Sequence, residues 1–204
     1  MRKMKVKPIS YEIIKPWILK KHYALRVPSI SFSYGLLGRD NELTGVVSYG
    51  APASPNLCIG ICGQEYKDRV IELNRLVVDE GVPSFLISQS LKKLPKPKIV
   101  VSYADCAMGH IGYVYQATNW IYTGKTKERT DMFAGDGCHA RHHNGDVTKR
   151  QLRSSKHRYV YFLGSKVDKK IMRKALNYPV CSYPKGDIEK YDASAKICKQ
   201  MLLV

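Results

Sequence analysis

The sequence predicts a single α/β domain built on a mixed sheet, with helices and strands in irregular order (α+β). Three observations lead there. At 204 residues and 44% hydrophobic, the chain has the length and apolar content for one ordinary core. Its apolar residues change period along the chain, from helical spacing to strand alternation and back. No run of about 18 apolar residues exists, which excludes a membrane-spanning helix.

The elements follow in order. Ser10 is placed to N-cap a helix carrying Ile13, Ile14, Trp17 and Ile18 on one side and ending near His22. Residues 31–37 and 43–48 read as paired strands around the polar turn Gly38-Arg39-Asp40-Asn41. Residues 69–78 alternate and then turn apolar, as a strand does. Pro83 and Ser84 open a helix through Leu94 with Phe85, Leu86 and Leu91 on its apolar side, and Pro95 and Pro97 stop it. Residues 99–103 read as a short buried strand, 109–118 as a helix, 120–123 and 158–163 as strands, and 168–176 as a short basic helix. This order resembles an acetyltransferase-like (GNAT) arrangement more than a Rossmann sheet, where strands and helices alternate throughout. Residues 131–155 are polar, aperiodic and rich in Gly and His, the marks of a long functional loop. The sequence thus predicts one domain over 1–204, with a basic loop insertion at 131–155 and a C-terminal extension, its Tyr178–Gly186 part running extended along the surface.

Charge is the strongest global signal. Thirty-four Lys and Arg face 17 Asp and Glu, a formal net charge of +17. Such self-repulsion is best tolerated beside a polyanion, and nucleic acid is the partner it predicts. The basic residues concentrate in the first 26 residues and again from Lys125 to Lys174. The basic N-terminus is followed by no apolar stretch and cleavage site of a secretion signal, and the six cysteines show no secreted-scaffold spacing. The expectation is a cytoplasmic protein with free thiols and no membrane partner.

The chemistry concentrates between Ser102 and Tyr122. An apolar strand that ends on Asp105 and turns through small residues puts that carboxylate at the strand's carboxyl end, where α/β sheets bind ligands. Asp105 can there act as a base, ligate a metal, or merely cap the next turn. The stretch from His110 to Trp120 alternates aromatic and amide side chains, suited to a base drawn out of the DNA stack or to an ordinary core helix.

Glu72-Leu73-Asn74-Arg75-Leu76, Val101-Ser102-Tyr103-Ala104-Asp105, Gly109-His110-Ile111-Gly112, Tyr115-Gln116-Ala117-Thr118-Asn119-Trp120 and Tyr122-Thr123-Gly124, with the earlier His22-Tyr23 pair, resemble the Mom family of phage DNA adenine-modification proteins. The matching positions span roughly residues 17 to 130. The resemblance implies a GNAT-like enzyme that converts adenine in double-stranded DNA to N6-(methylcarbamoyl)adenine and shields phage DNA from restriction. It places the residues of activity on His22, Tyr23, Arg75, Ser88, Asp105 and Tyr115. Asp105 is expected to accept the proton of the exocyclic amine or to ligate a metal. Arg75 is expected to steady an oxyanion or a donor phosphate, or else to pair with Glu72. Tyr23 and Tyr115 would orient the base or donate to the developing negative charge. His22, Tyr23, Asp105 and Tyr115 together form a candidate set for non-haem iron.

The donor is a small molecule of unknown identity. GNAT enzymes cradle acyl-CoA phosphates with a basic, glycine-rich turn before a helix, and here that place reads Val78-Asp79-Glu80-Gly81-Val82-Pro83-Ser84. Gly81 and Ser84 are the candidate cofactor contacts, but the basic residue is missing and two acids intrude, so acyl-CoA fits only in part. Two rival readings are a non-catalytic DNA-binding module using Cys138, His139, His142 and His143 with Cys58 and Cys62 for zinc, and a GNAT acyltransferase acting on RNA.

DNA contacts are expected from Lys149, Arg150, Arg153, Lys156 and Arg158, and from Asn119 and Trp120 near the target base. Neutralising Lys149, Arg150 and Arg153 together should weaken duplex binding and flatten its salt dependence, by up to about 0.9 in log–log slope for each phosphate no longer neutralised. Fluorescence anisotropy across a salt series measures it, and an unchanged slope would remove this run from the interface.

Overall fold

A computed structural model describes residues 4–132, 150–186 and 202–203. Strand β1 (Lys5–Pro8) leads into helix α1 (Tyr11–Lys21) and the strand pair β2 (Phe32–Leu37) and β3 (Leu43–Gly50). Helix α2 (Pro55–Cys62) precedes β4 (Val70–Val78), helix α3 (Pro83–Lys93) and β5 (Lys98–Asp105). The one-turn helix α4 (Tyr113–Gln116) is followed by β6 (Ile121–Lys125), β7 (Arg129–Met132), β8 (Arg150–Arg153) and β9 (Lys156–Leu163). Helix α5 (Lys166–Lys174) and the two-residue strand β10 (Leu202–Leu203) complete the described elements.

Seven strands form one mixed sheet in the order β1–β2–β3–β4–β5–β9–β6. Every neighbouring pair is antiparallel except β4 and β5, which run parallel. Their pairing extends only from Val70↔Ile99 to Leu73↔Ser102. Beyond it β4 continues to Val78 and β5 to Asp105, so the sheet opens between their carboxyl ends. A register shift between β3 and β4 leaves Asn74 outside the pairing, at the start of this opening.

The period-two alternation expected of the strands decides which helix lies on which face. Val47, Val100 and Tyr159 pack with Leu86, Ile87 and Leu91 of α3. Their neighbours Val46, Val101 and Val160 point the other way, toward Ile14 and Ile18 of α1 and toward Ile61 and Met172 of α2 and α5. The paired strands, the α3 helix and the basic helix at the end lie where their periodicity puts them. On α1, however, Ile13 is 45% exposed, because the helix phase buries Ile14 and Ile18, one turn apart. Strand β1 buries only Val6 and carries too little pattern to be read from the sequence.

Two expectations are corrected. The helix expected over 109–118 is a 3-10 turn (Cys106–Met108) and the single turn of α4. Gly109 (φ 68°) and Gly112 (φ 81°) are left-handed, and neither continues a right-handed helix. His110 therefore does not share a helix surface with Tyr115. The second concerns the long loop, both of whose ends are strand. Arg129↔Arg153 through Met132↔Arg150 pair β7 with β8, and β10 adds to the far edge of β8. Among the described residues no helix is long and apolar enough to cross a membrane.

At Gly112 a Cβ would lie 2.5 Å from Tyr159 Cε2. Gly112→Ala combines that clash with a left-handed alanine and should cost about 2 kcal/mol or more. Thermal melting should show a drop of roughly 4–8 °C, and a variant melting like the parent would contradict the close approach of this turn to β9.

Candidate active site

Asp105 ends β5, opposite Lys156 of β9. Its Oδ2 accepts from Lys156 Nζ at 2.6 Å, and its Oδ1 from Ser154 Oγ at 2.5 Å and from the Ala107 N–H at 3.1 Å. Burial opposes its ionisation, but the Lys156 ammonium, the Ser154 hydroxyl and the Ala107 N–H outweigh that and hold the carboxyl below its usual value. The side chain does cap the following turn, and it also ties Ser154 and Lys156, just beyond β8, to the end of β5.

His22 is the C-cap residue of α1. Its Nδ1 accepts from the Ala24 N–H at 3.1 Å, which assigns the ring proton to Nε2. Burial, then the positive charges of Arg75, His110 and Lys156, push its pKa down to about 2, so the imidazole is neutral at any working pH. The ring stacks on Tyr23 (4.4 Å, 29°), and Tyr23 in turn meets His110 edge-on (5.7 Å, 77°). His110 is delivered from the β5 side, its N–H bonded to the Asp105 carbonyl.

Arg75 stands on β4 just past the register shift. Nε and Nη2 donate to the Arg26 carbonyl at 3.1 and 2.9 Å, and Nη1 to the Asn74 carbonyl at 2.6 Å. The ion pair with Glu72 considered from the sequence is replaced by this fork on backbone, which holds the segment after α1 against the sheet. Glu72 itself, at the penultimate paired position of β4, is partly buried. Burial raises its pKa to about 7, against the pull of Arg75, Lys156 and the Ala53 N–H. Arg75 and Lys156 thus act electrostatically on both His22 and Glu72.

Tyr115 lies on the α3 face, its ring against Trp120 and Tyr159 at 5.1 Å. Ser102 Oγ donates to the Leu73 carbonyl at 2.8 Å and receives the Tyr115 hydroxyl at 2.8 Å. Burial pushes this phenol up to about 12, so it remains a neutral donor. The four residues suggested for iron do not fit a shared ion. Asp105 already accepts from three donors, one of them an ammonium, and the Tyr115 hydroxyl is turned to Ser102 on the face opposite α1. No group of three His, Cys, Asp or Glu converges among the described residues. Cys58 and Cys62 of α2 donate to the Ser54 and Met172 carbonyls. Cys138, His139, His142, His143 and Lys149 lie outside the described residues.

Other expected contacts divide. Trp120 is fully buried against Tyr115 and Tyr161, so its indole is core and not a DNA contact. Asn119 beside it is exposed, with φ 59°, at the rim of an open cleft of about 370 Å³ lined also by Tyr122, Arg173 and Tyr183. Arg150 is exposed on β8 and Arg153 half-buried. Lys156 is committed to Asp105, and Arg158 lies 3.3 Å over the Tyr178 ring and donates to Thr123. Both point into the fold, because on β9 they share the face of Val160 and Phe162. Ser88 Oγ donates to the Phe85 carbonyl within α3. At the head of α3, Gly81 has φ 116°, the N-cap Val82 makes no side-chain cap and the first turn holds no acid. One of the two intruding acids, Asp79, is paired with Lys21.

Glu72 and His110 were not singled out from the sequence. In the sequence Glu72 reads only as part of a strand motif and as a possible partner of Arg75, and His110 only as the start of the stretch that runs to Trp120. Asp105→Asn should cost about 1–3 kcal/mol by removing the anion that Lys156 and Ser154 bind. Because the folded pKa is depressed, this stability is present above the unfolded value near 3.9 and is lost as pH falls through the folded one. Urea midpoints should therefore differ between variant and parent from pH 5 to 8 and converge only below about pH 4. A difference that vanished at pH 7 would dissolve the tether.

The Mom protein family model matches residues 3–185. The chain is 27% identical over 206 aligned residues to the methylcarbamoylase Mom of Escherichia phage Mu, covering 90% of this chain and 85% of that one. Among solved structures, Arabidopsis thaliana NAA60 in complex with acetyl-CoA matches at a TM-score of 0.50 with 14% identity, over 79% of this chain and 99% of that one. That likeness bears on the fold alone, and it agrees with the GNAT-like order of elements around the opened β4–β5 pair. By the family match over most of its length, the chain belongs to the Mom protein family.

Proposed function

We propose that this chain is a DNA-modification enzyme that places a methylcarbamoyl group on N6 of adenine in double-stranded DNA and so protects phage DNA from host restriction. The observation that carries the reading is the similarity to the phage Mu methylcarbamoylase over nine-tenths of the chain. The site supports it in kind. The His22–Tyr23–His110 group offers aromatic faces on which a purine drawn from the duplex can stack. The Nε2–H of neutral His22 is a hydrogen-bond donor at any pH of the cell.

Arg75 uses three of its five N–H donors on the Arg26 and Asn74 carbonyls. The guanidinium is thereby fixed in place, and its charge is available to negative charge that develops on the donor during transfer. The donor would enter the opening between β4 and β5. An acyl-CoA carrier would bring its phosphates to the uncapped head of α3, at Gly81 and Ser84, where the backbone supplies N–H groups and Lys21 neutralises Asp79. Residues 78–84 themselves carry no Lys or Arg, so the turn fits a CoA pyrophosphate only in part. Tyr115 and Ser88 act from the α3 side, Tyr115 by filling the sheet face beside Ser102. Asp105 holds Ser154 and Lys156, which follow β8, to the end of β5. Arg150 and Arg153 of β8, with Lys149 next to them in the sequence, would follow the DNA backbone, and the +17 charge provides the long-range attraction.

Plasmid DNA from Escherichia coli expressing the chain, digested to nucleosides and analysed by mass spectrometry, tests the reading. Modified deoxyadenosine is expected. Its absence, with duplex binding intact, would favour a DNA-binding module without chemistry. Arg75→Met should lower the modified fraction about 100-fold while leaving duplex affinity within a factor of about two. Full modification by that variant would remove Arg75 from the chemistry.

A further inference from the structure

We propose that Glu72 is the group that accepts the adenine N6 proton, a role that rests on the adenine-modification reading above. The exocyclic amine of adenine is a weak nucleophile because its lone pair is delocalised into the ring. Transfer therefore needs a base beside it whose proton affinity suits neutral pH. In the step considered, the N6–carbon bond forms and the bond from that carbon to the donor's leaving group breaks, its electron pair departing with the leaving group. The N6 proton passes to a Glu72 oxygen and thence to solvent. The donor is an electrophile that carries the methylcarbamoyl group on such a leaving group.

Position singles Glu72 out. It sits on β4 opposite Val101, one residue before the parallel pairing ends and the sheet opens. By strand alternation Glu72 lies on the same sheet face as Val70, Asp105 of β5 and Lys156 of β9, and Arg75 and Lys156 act electrostatically on both Glu72 and His22. The Ala53 N–H is its hydrogen-bond donor, and Arg75 spends its near donors on backbone instead. The carboxyl is thus held in place without being locked into an ion pair. The ionisable groups around it are Arg75 of β4, Lys156 of β9, Tyr103 of β5, Tyr115 of α4 and Cys58 of α2.

The alternatives are weaker bases. Asp105, the expected acceptor, already receives three hydrogen bonds, one of them from an ammonium, and its proton affinity falls accordingly. His22 has its Nδ1 lone pair engaged by Ala24 and is pushed far down by burial and its cationic neighbours. Glu72 moves the opposite way, to about 7, half ionised at neutral pH and strong enough to take a proton once ionised.

Two measurements on the full-length protein decide this. In plasmid nucleosides, Glu72→Gln should lower modified deoxyadenosine at least about 100-fold with duplex affinity and melting temperature kept, and Glu72→Asp should restore part of it. Infrared difference spectra of the purified protein between about pH 5 and 8 should show a protonated-carboxyl band that titrates near neutrality and is missing from Glu72→Gln. Should Glu72→Gln not fold, the wild-type titration and the Glu72→Asp activity still decide. The proposal is overturned if Glu72→Gln modifies at the parental level, if Glu72→Asp behaves as the parent with no neutral carboxyl titration, or if that titration survives in Glu72→Gln. A wild type that produces no modified nucleoside refutes the functional reading and the proposal together, whereas an active wild type with an active Glu72→Gln refutes the proposal alone.

Discussion

The early end of pairing between β4 and β5 is the constraint on which the site depends. Two parallel strands that stay bonded to their last residues leave no room between them. Here the ladder stops at Leu73 and Ser102 while both strands run on, and their other neighbours, β3 and β9, keep the diverging ends supported. The backbone groups exposed by the parting need partners, and several find them in side chains. Ser102 Oγ takes up the Leu73 carbonyl, and Arg75 takes up the Asn74 carbonyl. The same side chains fix what borders the opening: Tyr115 through Ser102 on one face, and the segment after α1 through Arg75 on the other. Polar residues of a strand motif are thus structural before they are chemical, and they become available for chemistry because the backbone geometry has already oriented them.

Electrostatics at the centre follow from burial among cations. Arg75, Lys156 and the two histidines crowd one region, and the anions near them divide into two kinds. Asp105 is satisfied by direct donors and is a stable carboxylate. Glu72 is held by the Ala53 N–H and by the charges of Arg75 and Lys156, but desolvation outweighs them and its proton affinity rises. Two carboxylates on neighbouring parallel strands are separated in character by their hydrogen bonds, which is the general way a site obtains both an inert anion and a titrating one. The Asp105 tether also joins the residues following β8 to the end of β5, so that they and the strand lining the opening are held as one unit.

Hydrophobic periodicity determined most of the fold in advance: the paired strands 31–37 and 43–48, the long β4, the α3 helix stopped by its prolines, and the basic α5. These are elements whose faces differ in burial, and one-sided burial writes itself into residue spacing. The charge excess and the ordered motifs from His22 to Gly124 likewise pointed to DNA, to the Mom family and to the region of the site. Where periodicity failed, glycine and length were the reasons. The 109–118 stretch has helical composition, but Gly109 and Gly112 adopt left-handed backbone, a conformation glycine permits without announcing it. Strand β1 is too short to carry a pattern.

What the tertiary structure alone decided is which polar residues face one another. Asp105 reads as a lone carboxylate at a strand end until Lys156 and Ser154, some fifty residues on, are found on it. Lys156 and Arg158 read as DNA contacts until the β9 alternation turns them into the fold, and Trp120 until it proves wholly buried. Glu72 and His110 show nothing locally, since the burial and charges that act on Glu72 and the ring packed on His110 arrive from other elements. A sequence records the period of burial along each element, but the partner of a side chain across the fold has no local trace. The residue types and the region of the chemistry were therefore legible in the chain, while the assignment of roles waited for the contacts.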